Sequence, residues 1–542
     1  MDDVRQSFEA HWQDIADHLC PRSYRWLTND WTSRGNKANK KIIDAVATLS
    51  LRAMVAAFSA GITSPSRPWK KLTTTDPRFK TNWTVNSYLA ECDEIIDEMI
   101  LKSNFYQEAG KLYEQVGAFG TGVMLIEEDP VEVFRCETLP CGSYFLGCDY
   151  ARRVNRFYRK IEMTPREMVR VFGDNCSRRV RDYAKNAKQK DSVRVEVWHY
   201  IGPNDDYVQG SADRRRKAFK SCYIEMGNDA DGFLRESGYD EFPIVAPRWK
   251  TYADDVYGLD CPGMMALGHF KSIQFIWKQV HKAAEKSVNP PLQAPEMTRR
   301  QTVETYAGSI NYADQRGAND GIRPLYQVNF DATGSVQIIE DVRNQIKETF
   351  FYNLFLMVAN ERRSGTKARE IEELHEEKML MLSTVYEQFS QEFLNPAVSR
   401  IFNIANRAGK LPIPPPEFQG QEFTIEYVSV MAQAMKLVGI GNMDRALAVL
   451  GQVATARPEA LDLLNTDRFT NQYLDRLGVD PRIKNSPDEI AAIRQARAAQ
   501  QQQMQAMQAE QVQAETAKTL SETKIDEDNA LANLLDQARG VQ

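Results

Sequence analysis

A short basic segment, 360–369, contains the residue types that could contact phosphate groups. Guanidinium and ammonium groups bind phosphate oxygens without reading base sequence, and the Ser364–Gly365 pair gives the backbone freedom to move. Only Glu361 and Glu370 oppose the positive side chains, which are Arg362, Arg363, Lys367 and Arg369. The segment separates two long helical patterns, so it predicts a loop that touches the backbone of a nucleic acid. Capping of the adjoining helix ends is the alternative explanation.

A second group of positive side chains lies on one predicted helix, Ala266–Val288. Lys271, Lys278, Lys282 and Lys286 are spaced by seven, four and four residues, which places them on one face of a helix with 3.6 residues per turn. This face could point at phosphate groups, or it could be an ordinary solvated face. On the next predicted helix, Arg343 and Lys347 repeat the four-residue spacing more weakly.

The chain lacks the residue patterns of several enzyme classes. No G-x-x-x-x-G-K-[ST] occurs, so the phosphate loop of a P-loop NTPase is missing. The segment from His375 begins like a zinc-protease helix, but Met379 stands where the second His ligand is needed. Cys136, Cys141 and Cys148 lack the paired spacing of a structural zinc site. We therefore expect no catalytic residues, no metal and no cofactor, and a protein that is not an enzyme.

Length and charge limit the possible classes further. The 542 residues suggest three or four structural units. With 68 Lys and Arg against 74 Asp and Glu, the formal charge is -6, so any contact with nucleic acid must be local. The most apolar stretch, Ala45–Ser66, contains Arg52 and predicts a buried helix, not a membrane span. The amino terminus has no secretory pattern, so we expect a cytoplasmic protein whose eight cysteines are thiols.

These residues must be positioned by a mainly helical α+β fold. Helical spacing predicts Ala266–Val288 and Ile338–Met357 as two long helices flanking a compact insert. A third, very long helix over 366–408 should kink at Pro396. The glycines from Gly117 to Gly122 precede a strand and indicate tight-turn packing. Before residue 258, helical patterns at 4–59, 84–102 and 105–116 are followed by strand-like runs at 123–127, 131–136, 157–161, 193–201 and 221–226, and a further strand is predicted at 423–428.

Several motifs occur in an order known from one protein family. The run Gly61–Trp69 reads GITSPSRPW, close to a GLTSPxxPW run near the start of that family. Further matches follow in the same order: Phe119–Gly122, Tyr257–Gly258, Pro262–Gly263, Ala266–Leu267, Pro290–Leu292, Glu376–Leu380 and Leu394–Pro396. Over about residues 20–416 the chain resembles the portal, or head-to-tail connector, proteins of short-tailed, T7-like bacteriophages. Beyond that, only the helical, Gln-rich character matches.

The resemblance implies a portal-type ring subunit with a wing, stem, clip and helical crown and barrel. The expected divisions are 1–258 for the wing, 259–289 for the first stem helix, 290–337 for the clip, 338–357 for the second stem helix, 358–367 for the tunnel loop, 368–429 for the long kinked helix and wing return, and 430–542 for the crown and barrel. Relatives commonly carry MTATE after the tunnel loop, whereas this chain has Thr366–Glu370, TKARE.

The family's biology implies the partners. We expect a homo-oligomer, a dodecamer, at the portal vertex of the virion, made in the cytoplasm of the bacterial host. Double-stranded DNA would pass through it non-specifically during packaging and ejection. The terminase packaging motor, a tail adaptor, the scaffold and the major capsid protein would dock on it, and no membrane would be involved.

Two other functions are weighed against a portal. One is a DNA-processing enzyme of the packaging machinery, a nuclease or NTPase, which the missing phosphate loop disfavours. The other is a coiled-coil scaffold, which would explain only the helical tail and leave the α+β region without a role.

Overall fold

The computed structural model describes fourteen parts of the chain. They are residues 1–23, 27, 41–76, 78–79, 82–186, 188–227, 232–293, 323–325, 332–352, 383–416, 423–428, 465, 469–470 and 487–522. The residues predicted to form the tunnel loop lie outside these parts, as do most of the residues predicted to form the clip and the crown.

The described residues up to 258 combine helices with antiparallel strands, which confirms the predicted α+β class, but two short helices that lie between the strands were not predicted. The helices are α1 (Asp2–His18), α2 (Val46–Gly61), α3 (Trp83–Lys102), α4 (Phe105–Phe119), α5 (Pro165–Phe172) and α6 (Arg178–Lys185). The strands are β1 (Lys70–Thr74), β2 (Val123–Asp129), β3 (Val133–Leu139), β4 (Tyr144–Cys148), β5 (Val154–Met163), β6 (Val195–Pro203), β7 (Phe219–Glu225), β8 (Arg235–Tyr239) and β9 (Ile244–Val245).

The larger sheet is an antiparallel meander with the order β4-β5-β6-β7-β8. Its register sets Tyr158 opposite Tyr200, and these rings lie 4.6 Å apart between centroids. A smaller sheet has the order β3-β2-β9. Because side chains alternate between the two faces of a strand, the large sheet buries Phe157 and Ile201 and leaves Tyr158 and Tyr200 on the opposite face.

The described elements after residue 258 include the long helices. They are α7 (Pro262–Met265), α8 (Leu267–Val288), β10 (Leu292–Gln293), β11 (Arg323–Pro324), α9 (Ala332–Thr349), a π-helix (Ser390–Leu394), α10 (Asn395–Arg407), β12 (Phe423–Tyr427) and α11 (Pro487–Glu522). Strand β12 pairs antiparallel with β1, with Leu72 opposite Ile425. The segment after the proline-rich spacer therefore returns to the first domain.

Three features differ from the sequence-based expectation. The helix expected from Ile338 begins at Ala332, although Gly334 and Ser335 are weak helix formers, and it ends before Phe351, whose φ is 56°. Helix α2 is not wholly buried, since Leu49 is 58% exposed. Around Pro396, the helix passes from a π-helix into α10, because proline has no N–H to donate to the preceding turn.

One large core joins the helices to the smaller sheet. Within it, a pair of glycines lets two backbone segments approach each other closely. Gly120 ends α4 with φ 80°, and a Cβ there would overlap the carbonyl oxygen of Gly258. A Cβ on Gly258 would in turn overlap the carbonyl oxygen of Gly120. The tight-packing role expected for the glycines before β2 is therefore confirmed at Gly120, and two of the motifs that order the chain lie in direct contact.

A smaller core holds α5 and α6 against the large sheet. Its buried members are Met168, Phe172, Cys176, Val180, Val195, Val197 and Leu234. All eight cysteines are free, and seven of them are buried. In the part of the chain that the structure describes, no helix is long and apolar enough to cross a membrane.

Candidate channel-lining and assembly surface

The two predicted stem helices, α8 and α9, pack together along apolar stripes. Phe270 and Ile273 of α8 are fully buried, as are Ile346 and the adjacent Phe350. The Phe270 and Phe350 rings lie 6.1 Å apart and nearly parallel. The spacings of three and four that predicted this helix therefore match its buried face, which turns the opposite face outward.

The outward face of α8 carries the four predicted lysines. Lys271, Lys278, Lys282 and Lys286 are all exposed, so the structure brings them to one side of the helix. Lys271 is held by Asp14 of α1 at 2.7 Å, and this hydrogen bond lowers the pKa of the Asp14 carboxyl. Neither Lys278 nor Lys282 has an ion-pair partner among the described residues. Two ammonium groups on the outer half of the stem thus remain available to a phosphate.

Apolar side chains are also exposed on the stem. Phe275 of α8 is 61% exposed and Val288 is 81% exposed, while Val336 and Ile338 of α9 are each 55% exposed. Exposed apolar residues that are scattered singly are common on monomers, so these four side chains do not by themselves identify an interface. The stem therefore combines positive and apolar groups on the surface that it presents outside the subunit.

Arg343 has a different environment from the stem lysines. Its Nε donates to Asp44 Oδ2 at 2.9 Å and its Nη1 donates to Glu340 at 2.6 Å. The guanidinium also lies over the Trp277 ring, 5.8 Å from the centroid. Arg343 is thus engaged inside the subunit, whereas Lys347, also predicted to face a channel, is half-buried and has no ion-pair partner in the described residues.

Asp44 joins the stem to the first domain, through what we call the Asp44 junction: Asp44, Gln274, Trp277 and Arg343. Asp44 Oδ1 accepts from the Val46 N–H at the start of α2, and Oδ2 accepts from Trp277 Nε1 at 2.7 Å. Gln274 Nε2 donates to the Asp44 carbonyl, and Gln274 Oε1 accepts from the Asp44 N–H at 2.9 Å. Both stem helices are therefore fixed to the start of α2 through one buried carboxylate.

A second set of contacts, between Arg248 and Glu392, fixes the π-helix Ser390–Leu394. Arg248 Nε lies 3.1 Å from both carboxylate oxygens of Glu392, and its Nη2 also donates to Glu392. The Arg248 N–H donates to Glu392 Oε2 at 2.9 Å. Glu392 belongs to the π-helix, a form often found at functional sites. Through these bonds the π-helix is fixed to Arg248.

The predicted tunnel-loop residues Arg362, Arg363 and Lys367 lie outside the described residues. Their immediate surroundings are described only up to Tyr352 and again from residue 383. The prediction that they contact DNA therefore stays a prediction. The same applies to the helix segment that contains His375 and Met379.

The motif at Gly61–Trp69 supports the first domain. Trp69 is buried, stacks on Phe105 with the planes 1° apart, and donates from Nε1 to the Tyr106 hydroxyl at 3.3 Å. The adjacent Lys70 is fully buried and lies 2.5 Å from Asp93 and 2.7 Å from Asp97. Burial raises the pKa of Asp93 although Lys70 opposes this effect. The motif therefore has a structural role in packing and charge compensation.

The described residues contain no cluster that could hold a metal ion, and one of their cavities is a mixed-charge groove. No group of three or more His, Cys, Asp or Glu side chains converges in this part of the chain. The groove, of about 900 Å³, lies between α1 and the open face of the large sheet. Arg5 there is already paired with Glu9 at 2.7 Å and stacks on Phe145.

The sequence reasoning missed the Asp44 junction and the Arg248–Glu392 contacts. Gln274 gave one usable signal, because it is a polar residue within the buried stripe of α8, next to Ile273. A polar group in such a position is normally hydrogen-bonded. Arg248 and Glu392 gave no such signal: Arg248 lies outside the predicted elements, and Glu392 lies in the predicted helix 366–408, where an acidic residue is common.

Comparisons with known proteins agree with one another. A family model described as bacteriophage head to tail connecting protein matches residues 1–484. The portal protein of Salmonella phage epsilon15 is 39% identical over 539 residues, which cover 99% of this chain and 96% of that protein. The probable portal protein of Bordetella phage BPP-1 is 37% identical over 532 residues, covering 98% and 95%.

A solved structure titled neck of empty GTA particle computed with C6 symmetry covers 79% of this chain and 89% of its own. Its TM-score of 0.31 and identity of 13% are too low to support a conclusion about the fold.

Proposed function

This chain belongs to the family of bacteriophage head-to-tail connecting proteins, and we propose that it works as a closed ring of twelve subunits around a channel for double-stranded DNA. As a portal protein it acts in the virion, at the capsid vertex where head and tail meet. The observation that carries this proposal is the match over nearly the whole length of two phage portal proteins. The exposed apolar groups of the stem, Phe275 and Val288 among them, supply surface that a neighbouring subunit would cover.

Within this ring, the divisions proposed from the sequence assign α8 and α9 to the stem and the first 258 residues to the wing. The lysine face of α8 supports a channel that guides DNA without trapping it, because the whole chain has a charge of -6 and isolated positive rings on an acidic wall hold a polyanion weakly. Lys278 and Lys282 are the stem groups best suited to this role.

The partners follow from the place of a connector in the particle. The proposed ring docks the terminase packaging motor during DNA entry and a tail adaptor afterwards, and it meets the scaffold and the major capsid protein during head assembly. Synthesis in the cytoplasm of the bacterial host belongs to the same proposal.

The ring is tested by measuring the mass of the purified full-length protein in solution and by class-averaged electron micrographs. A mass near twelve subunits and a closed annular image are expected, because the stem's exposed apolar groups become buried only on assembly. A stable monomer at micromolar concentration and physiological salt would contradict the proposal.

We propose that the protein performs no chemistry of its own. No phosphate loop occurs in the sequence, and no metal-binding cluster occurs in the described residues. Incubation of the ring with ATP, and separately with supercoiled DNA and Mg²⁺, should give neither ADP nor nicked DNA. Turnover that persists through purification and disappears with a point variant of this chain would favour the nuclease or NTPase alternative.

A further inference from the structure

The segment 164–194, which we call the basic hairpin, reverses the charge balance of the chain. It contains nine basic residues and four acidic ones, a net charge of 9 - 4 = +5 in a chain whose total is -6. The basic residues are Arg166, Arg170, Arg178, Arg179, Arg181, Lys185, Lys188, Lys190 and Arg194. Of these nine, all but Arg181 and Lys190 are exposed.

The hairpin is a fixed platform and not a loose tail. Helices α5 and α6 pack against each other, and their apolar sides enter the smaller core through Met168, Phe172 and Val180. Thr164 and Glu167 form a capping box at the start of α5. Its basic side chains are therefore presented by a backbone that is already ordered, which lowers the entropic cost of binding.

A second anchor ties the hairpin to the large sheet. Ser177 caps α6 and donates from Oγ to Glu225 of β7 at 2.6 Å, and the Ser177 N–H donates to the same carboxylate at 3.0 Å. Asn175 Nδ2 donates to the Leu234 carbonyl at 3.0 Å. The carboxylate of Glu225 is thus used by Ser177, and it does not neutralise the outer arginines.

Most of the outer charge has no carboxylate partner within the subunit. Arg170, Arg178 and Arg179 form no ion pair with any residue that the structure describes. The hairpin's one ion pair in the described part of the chain joins Arg166 to Asp191, at 3.9 Å, and both side chains are more than half exposed. Such a pair contributes little, so the surface keeps its positive field.

We propose that the basic hairpin is a binding surface for the phosphate backbone of double-stranded DNA, separate from the channel. This inference rests on the proposed function, which brings that polymer to the protein. DNA presents one charge per about 1.7 Å of helix axis, which suits several arginines on a rigid surface. Binding would be independent of sequence, because backbone contacts position a duplex without reading its bases.

The composition of the surface favours DNA over an acidic protein. Protein interfaces carry an apolar, aromatic-rich centre, whereas protein–DNA interfaces are more polar and more positive. Within the described residues of the hairpin, Val171, 53% exposed, is the one large apolar side chain on the surface. An apolar centre for a protein partner is therefore missing.

The test compares two triple variants of the full-length protein. The first changes Arg170→Ala, Arg178→Ala and Arg179→Ala. The matched control changes Arg214→Ala, Arg215→Ala and Arg216→Ala, an exposed 3-10 turn before β7, at the end of that strand opposite Glu225. Both variants lose three positive charges. Binding is measured by fluorescence anisotropy with a labelled duplex of about 30 base pairs, over a range of salt concentrations.

For the hairpin variant we expect about tenfold weaker binding or more at about 100 mM salt, and a salt slope smaller by about 2.7, which is three phosphate contacts at about 0.9 each. The control variant should bind like the wild type, and so should Arg170→Lys, Arg178→Lys and Arg179→Lys together, because a phosphate contact needs charge. Duplexes rich in A·T or in G·C should behave alike.

The proposal is overturned if both alanine variants lose affinity equally, since net charge would then explain the result. It is also overturned if poly-glutamate binds the wild type as tightly as DNA and loses binding in the same hairpin variant, which would assign the surface to an acidic protein. If the lysine variant also fails, the arginines are structural. The mass of the assembly is measured for every sample. A wild type that stays monomeric refutes the proposed function. Rings that bind DNA equally with or without the hairpin charges refute the hairpin proposal alone.

Discussion

His199 shows how a single buried residue can be held in one charge state. It is fully buried in β6, and Arg159 Nε donates to its Nδ1 at 3.2 Å. Because arginine can only donate, Nδ1 must be unprotonated, and Nε2 then donates to Ser221 Oγ, 3.0 Å away. Burial, with Arg159 and Arg235, lowers the pKa of His199 well below its ordinary value, while Tyr223 stacks on the ring.

This arrangement predicts a pH dependence of stability. The unfolded chain protonates His199 below about pH 6.5 while the folded chain does not, so the contribution of His199 is complete above that pH and is lost as the pH falls below it. The loss is at most about 1.4 kcal/mol per pH unit. His199→Gln, which keeps an acceptor and a donor, should show a smaller loss of unfolding free energy between pH 7 and 5.5 by chemical denaturation. Equal slopes in variant and wild type would contradict the prediction.

Among the elements, the stem helices depend on the Asp44 junction. Asp44→Ala removes the acceptor of Trp277 and Arg343 and leaves the guanidinium without its main buried partner. We expect the free energy of unfolding to fall by about 2–4 kcal/mol. The measurement is urea denaturation monitored by tryptophan fluorescence.

The matched control for that prediction is Asp14→Asn, which breaks an ion pair whose two side chains are nearly half exposed. It should cost less than about 1 kcal/mol. If Asp44→Ala cost no more than Asp14→Asn, the buried junction would not be what fixes the stem.

The elements also show what a single sequence can reveal. Apolar spacing predicted α8 and three strands of the large sheet, β5, β6 and β7, because each pattern is local and each element buries one face. The Asp44–Gln274 and Arg248–Glu392 contacts join residues 230 and 144 positions apart, and no local pattern encodes such a distance. The early start of α9 at Ala332 follows from packing on α8, which overrides the weak propensity of Gly334.

At the scale of the whole molecule, assembly is expected to depend on the stem and the first domain. The family match ends at residue 484, and large apolar side chains that the structure describes on α11, such as Met507 at 63% exposed, face the solvent. A chain ending near residue 490 should therefore still form rings of the full-length subunit number, as measured by solution mass. Monomeric truncated chains would instead make α11 the assembly element.

A second prediction at this scale concerns DNA retention. Arg362→Ala with Arg363→Ala should leave the ring intact, because neither residue is expected to support a core. Packaging or retention of DNA in assembled particles should fall, whatever the base composition. Arg214→Ala with Arg215→Ala is the control with the same charge loss. Normal packaging by the Arg362 and Arg363 variant would end their assignment to the tunnel loop.

Because its cysteines are buried, the native chain should react very little with thiol reagents. Burial raises the pKa of all eight thiols, that of Cys92 to about 11, so little reactive thiolate exists at neutral pH. A single cysteine introduced on α11, for example Met504→Cys at a side chain 56% exposed, would then take a maleimide dye selectively. Energy transfer between such dyes on adjacent subunits would report how close the carboxy-terminal helices come during assembly. No native cysteine would have to be removed.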